Sequence, residues 1–165
     1  MTVRRKAGLF ALCGLVAVVA ICFFCLRENE PSYNGQTLSE WLDRWGNNRL
    51  FSRSEAADAI RHIGRSNSVL IAQWYIDGHT RIAAIRRITK GHPFLQRIAR
   101  PLEYAAFRKA LRGNDGLFVV GTNARVAIPI LKNALGAKDL FVVHAASNAL
   151  LCVAPEVLTN KPNSH

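Results

Sequence analysis

An apolar run without a single charged residue begins at Ala7 and ends at Leu26. An α-helix rises about 1.5 Å per residue, so a run of this length spans roughly 30 Å, the hydrocarbon thickness of a bilayer. Inside a helix every backbone amide and carbonyl is paired within the segment, which is the condition for crossing lipid. The sequence therefore predicts a transmembrane signal-anchor helix at 7–26.

The charges on either side of this run predict its orientation. Arg4, Arg5 and Lys6 precede the run, whereas the basic and acidic residues that follow it nearly cancel. Because positive flanks stay in the cytoplasm, we expect a cytoplasmic segment at 1–6 and an extracytoplasmic domain after residue 26, periplasmic in a Gram-negative bacterium. The alternative is a cleaved signal peptide and a secreted protein, although signal-peptide apolar regions are usually shorter, about 7–15 residues.

The rest of the chain predicts one basic helical domain. Without Arg4, Arg5 and Lys6, 19 basic residues stand against 11 acidic ones, a net charge of +8. Residues 27–36 are polar and contain Pro31 and Gly35, which predicts a linker. Apolar residues then recur at helical spacing up to about residue 158, before a tail at 159–165, and no segment alternates as a strand does. We therefore predict an all-α domain at 37–158.

Capping residues and helix breakers divide this domain into helices. Thr37 and Glu40 form a capping box, Ser52 and Glu55 form a second one, and Asp139 is placed to cap the last helix. The first predicted helix is 37–46, followed by an antiparallel pair of helices at 52–64 and 69–76 joined by a tight turn. A helix at 80–90 and a helix with Pro101 in its first turn come next. The last two predicted helices are 124–135, with a start or kink at Pro129, and 139–153.

An internal repeat relates the early and late helices. The pattern Ala56-x-x-Ala59-Ile60-x-x-Ile63-Gly64 returns as Ala146-x-x-Ala149-Leu150-x-x-Val153-Ala154. Two further segments accompany this repeat: Tyr33-Asn34-Gly35-Gln36-Thr37-Leu38-Ser39-Glu40-Trp41-Leu42 and Ala124-x-x-Ala127-Ile128-Pro129-x-Leu131. Through these features together, the chain resembles bacterial HEAT-repeat proteins that carry an N-terminal membrane anchor. The resemblance implies a short, armadillo-like α-α superhelix of helical hairpins that acts as a protein-binding scaffold and shares no catalytic residues.

Positive charge is concentrated in a predicted basic insertion at about 79–112, where Glu103 is the only acidic residue. Such a segment predicts a surface for an acidic protein, an acidic polymer or anionic lipid headgroups. The predicted extracytoplasmic location argues against nucleic acid. The candidate anion- or partner-binding residues are Arg81, Arg86, Arg87, Lys90, Arg97, Arg100, Arg108, Lys109 and Arg112.

The sequence contains no recognisable catalytic, cofactor-binding or metal-binding constellation. No two histidines are four residues apart, as a helical zinc site requires, and no nucleophile elbow, P-loop or dinucleotide-binding motif occurs. We therefore predict a membrane-anchored, non-catalytic scaffold or adaptor that binds a protein partner and uses no cofactor. The alternative function is an anionic lipid or acidic polymer binding module.

Overall fold

Helices make up most of the chain that the computed structural model describes, residues 30–47 and 50–159. They are α1 (Leu38–Gly46), α2 (Leu50–Thr89), α3 (Pro93–Val120), α4 (Ile128–Leu135), α5 (Leu140–Val153) and α6 (Glu156–Thr159), with a 3-10 helix (Gly121–Ala127) between α3 and α4. The all-α prediction is confirmed for these residues. None of their helices is long and apolar enough to cross a membrane, and the predicted anchor at 7–26 lies outside them.

A short β-hairpin precedes α1 where the sequence predicted only a linker. Strand β1 (Ser32–Tyr33) pairs antiparallel with β2 (Gln36–Thr37). The turn residues Asn34 and Gly35 have positive φ angles of 50° and 75°, and Asn-Gly is the dipeptide that two-residue hairpin turns favour. The last carbonyl of β1 accepts a hydrogen bond from the Trp41 indole at 3.0 Å. The hairpin is therefore tied to the first turns of α1.

Helix α1 begins at the predicted capping box. Thr37 Oγ1 accepts a hydrogen bond from the Glu40 amide at 3.4 Å, and Glu40 Oε2 accepts one from the Thr37 amide at 2.7 Å. This arrangement pairs two amides that a helix start otherwise leaves unbonded. Leu38, Trp41 and Leu42 then share one face and are buried against the rest of the core.

Helix α2 is one kinked helix. Asn67 departs from helical geometry, with φ −119° and ψ 21°, and its side-chain amide donates to the Ile63 carbonyl at 2.9 Å. A side chain that inserts into the helical hydrogen-bond ladder is a usual cause of a kink. The residues that predicted a tight turn therefore bend the helix without ending it.

Helices α2 and α3 form a long antiparallel pair. Successive close approaches join Gly64 to Val120, Ile71 to Gly116, Tyr75 to Gly113 and Gly78 to Ala110. Each step forward along α2 is a step backward along α3, so the chain does not reverse near the kink. The predicted antiparallel pair at 52–64 and 69–76 is therefore wrong, and the reversal lies at the α2–α3 connection.

Helix α3 begins at Pro93, earlier than the predicted start at Pro101. Pro93 occupies the first turn. Backbone nitrogens in the first turn of a helix have no intrahelical acceptor, so the amide hydrogen that proline lacks is not missed there. Pro101 lies inside the helix at an exposed position. Water can therefore reach the carbonyl that this proline leaves without an intrahelical donor.

The C-terminal helices follow the predicted breaks. Pro129 lies in the first turn of α4, and Asp139 caps α5 by accepting a hydrogen bond from the Phe141 amide at 3.0 Å. Small and aliphatic side chains of α4 and α5 pack against Ile76 and Ala83 of α2. These helices therefore cover one side of the α2–α3 pair.

Candidate interaction surface

The nine predicted basic residues lie on α2, on α3 or, for Lys90, in the turn between them, but the structure does not gather them into one site. One group surrounds the α2–α3 turn, and the other lies halfway along α3. The turn group is Arg81, Arg86, Arg87, Lys90, Arg97 and Arg100, and the second group is Arg108, Lys109 and Arg112.

Two of the second group hold α1 against α3. Arg112 Nε and Nη2 donate to the two carboxylate oxygens of Asp43 at 3.0 and 2.7 Å, and Arg108 Nη2 donates to Oδ2 at 2.9 Å. The Arg112 hydrogen bond, helped by both positive charges, lowers the pKa of Asp43 below its ordinary 3.8 although burial acts to raise it. Arg108 and Arg112 are therefore engaged in a contact between helices, which we call the Asp43 clamp.

The Asp43 clamp borders a cleft of about 200 Å³ between α1 and α3, which Asp115 also lines. Burial raises the pKa of Asp115, opposed by a hydrogen bond from Asn114 and by the charge of Arg53. Two carboxylates with opposite pKa shifts are a pattern of acid–base sites. Here the Asp43 oxygens are already occupied by guanidinium groups, and no histidine lines the cleft. Residues 30–47 and 50–159 also contain no cluster of side chains able to hold a metal ion.

Arg86 and Arg87 have carboxylate partners as well. Arg86 Nε lies 2.7 Å from Glu103 Oε1 across the pair, and Arg87 Nη2 lies 3.0 Å from Oδ2 of Asp139 at the start of α5. Exposed ion pairs of this kind contribute up to about 1 kcal/mol each. Charge near the turn is therefore partly neutralised within the domain.

An apolar stripe that sequence analysis missed runs along α3. Tyr104, Phe107, Leu111 and Phe118 are all exposed. Their separations of three, four and seven residues place them along one line of the helix, as in a coiled-coil seam. The signal was present in the sequence as large apolar residues on one face of a helix whose other face carries small ones.

Neighbouring side chains border both ends of this α3 stripe. At one end, Tyr104 and Phe107 line a cavity of about 360 Å³ together with Ile82, Arg86, Arg100 and Glu103. At the other end, the Phe118 ring lies 6.2 Å from the Trp45 ring of α1, centroid to centroid. We call this surface the groove. Arginines lie at its turn end, and Leu111 in its middle also lines the cleft beside the Asp43 clamp.

Comparisons of the chain with protein family models, with curated proteins and with solved structures find no match. The resemblance to HEAT-repeat proteins therefore stays a prediction. The long, kinked α2 also differs from the short helical hairpins that this resemblance implied.

Proposed function

We propose that this protein is a non-catalytic scaffold, attached to a membrane through residues 7–26, that binds a helix of a partner protein along the α3 stripe. The observation that carries the proposal is the exposed row of Tyr104, Phe107, Leu111 and Phe118. Exposed apolar rows of this kind recur where amphipathic helices bind in grooves. The resemblance to HEAT-repeat scaffolds supports the same class of function.

The chemistry of the groove selects an amphipathic partner helix with acidic residues at one end. Its apolar side chains would pack on the α3 stripe, and its carboxylates would meet Arg100 beside the 360 Å³ cavity, where Arg86 is already paired with Glu103. Glu103 is the only acidic residue that lines this cavity, so an acidic partner is complementary there. Aromatic residues such as Tyr104 and Phe107 supply large contact areas at protein interfaces.

A photocrosslinking experiment tests this proposal. A photoreactive amino acid replaces Phe107 in the full chain, which is then irradiated in its native membranes. We expect one discrete adduct with a different protein, which disappears when Leu111→Asp is added. The matched controls are a photoreactive residue at Leu151 and the variant Leu151→Asp, because Leu151 is an exposed leucine on α5 that lines neither the cavity nor the cleft beside α3.

Three results would overturn the proposal. They are no adduct from position 107, the same adduct from both positions, and an adduct between two copies of this chain. Leu111 is exposed but also lines the cleft beside the Asp43 clamp, so circular dichroism of each variant checks that the domain stays folded.

A further inference from the structure

We propose that the turn end of the α2–α3 pair inserts into the interfacial region of an anionic bilayer. This end, residues 87–100, is called the hairpin tip. Apart from Arg100, which also lines the 360 Å³ cavity, the inference uses residues outside the proposed partner site. It rests on the proposed attachment to a membrane.

The hairpin tip exposes large apolar side chains on several sides. Ile88 and Phe94 are 73% and 74% exposed, and Leu95 and Ile98 are also exposed. Every residue from Lys90 to Ile98 is exposed. Successive helical residues point about 100° apart, so Phe94 and Leu95 cannot lie on one flat face. The tip is therefore a convex apolar end rather than a groove or a stripe.

Basic residues surround this apolar end, although Arg87 among them is paired with Asp139. Asp77 and Glu103 enclose six lysine and arginine residues and no carboxylate. Within the part of the chain that the structure describes, Lys90, Arg97 and Arg100 have no carboxylate partner, unlike Arg86 and Arg87. The tip therefore joins exposed apolar side chains to positive charge that its own domain leaves uncompensated.

An anionic bilayer satisfies both features. Phenylalanine, leucine and isoleucine enter the boundary between headgroups and acyl chains, while lysine and arginine keep their charges among anionic headgroups. Fluid lipid adapts to a convex end with apolar groups on all sides, whereas a protein partner would need a deep cavity of matching shape. The charge and the convex surface together favour a bilayer over a protein as the occupant.

Tryptophan fluorescence tests the insertion in the full chain. Phe94→Trp is reconstituted into phosphatidylcholine vesicles with brominated acyl chains, with and without phosphatidylglycerol. The wild-type protein in the same vesicles supplies the background from Trp41, Trp45 and Trp74, which lie outside the tip. We expect the introduced indole to shift to shorter wavelength and to be quenched by bromine when phosphatidylglycerol is present.

Removing tip charges should abolish this quenching. The test variant combines Lys90→Gln, Arg97→Gln and Arg100→Gln in the Phe94→Trp background. Each basic residue near an anionic surface contributes about a fivefold increase in the partition into lipid, so three losses multiply. The control combines Arg65→Gln, Lys132→Gln and Lys138→Gln, exposed residues outside the tip whose loss changes the net charge equally. The control should keep the quenching.

The outcomes separate this inference from the proposed scaffold function. A protein that floats with the vesicles but has an unquenched indole refutes insertion of the tip and leaves the attachment standing. A protein that does not float refutes both. Two further results would refute an anionic bilayer as the occupant. They are equal quenching without phosphatidylglycerol and an equal loss of quenching in the control variant.

Discussion

At the scale of single residues, glycines determine how closely α2 and α3 approach. Glycine in a helix interior costs about 1 kcal/mol relative to alanine, so Gly78 and Gly113 weaken the helices that contain them. A Cβ atom added at Gly113 would lie 2.5 Å from the Tyr75 backbone nitrogen, and one at Gly78 would lie 2.6 Å from the Ala110 backbone nitrogen. Neither backbone can move without displacing a helix, so these glycines allow the close packing.

The substitution Gly113→Ala should destabilise the protein despite the better helix propensity of alanine. We expect the free energy of unfolding to fall by about 2 kcal/mol, the usual cost of overpacking a core, in denaturant titrations of the full chain in detergent. The matched control is Gly46→Ala at the end of α1, where the nearest atom to an added Cβ lies 4.0 Å away. Equal effects from the two substitutions would contradict the role given to Gly113.

At the scale of elements, the Asp43 clamp fixes α1 on α3. The substitution Asp43→Asn removes a charged acceptor that three guanidinium hydrogen bonds share. After allowance for its partial exposure, we expect a loss of about 1 to 2 kcal/mol in the free energy of unfolding at neutral pH. Denaturant titrations across the pH range measure it.

The effect of Asp43→Asn should depend on pH in a defined direction. The pKa of Asp43 is lowered in the folded state, so its stabilisation is complete above the ordinary value of 3.8 and is lost as pH falls through the lowered pKa. The difference from wild type should therefore disappear in acid. Asp115→Asn is the contrast, because burial raises the pKa of Asp115 and its charged form opposes folding. If Asp115→Asn lowered the free energy of unfolding at neutral pH as much as Asp43→Asn does, the Asp43 clamp would not explain the loss of stability in Asp43→Asn.

Two elements show where local patterns succeed and fail. The Asn34-Gly35 dipeptide is a local signal for the β-hairpin, although the polar composition of residues 27–36 predicts a linker. The continuity of α2 had no such signal, because Gly64 and Asn67 are residues that commonly end helices. Contacts with α3 on both sides of the kink, through Gly64 and Ile71, outweigh that local tendency.

At the scale of the whole molecule, the sequence predicts that residues 7–26 attach the domain outside the cytoplasm. A reporter enzyme that works only outside the cytoplasm should then be active when it is fused after Lys161. A reporter active only in the cytoplasm would contradict this orientation. A tag at the N-terminus distinguishes an uncleaved signal-anchor from a cleaved signal peptide. Cleavage of a signal peptide would remove the tag and yield a secreted protein.

Local sequence patterns were sufficient to predict the all-α class, the caps at Thr37 and Asp139, and the end of the last long helix at Val153. These features depend on residues within a few positions of one another, so their causes are present in any short window of the chain. Packing between helices was needed to show that α2 continues through the kink at Asn67 and that Arg112 pairs with Asp43. Such features depend on groups far apart in sequence, and no local pattern specifies which of them will meet.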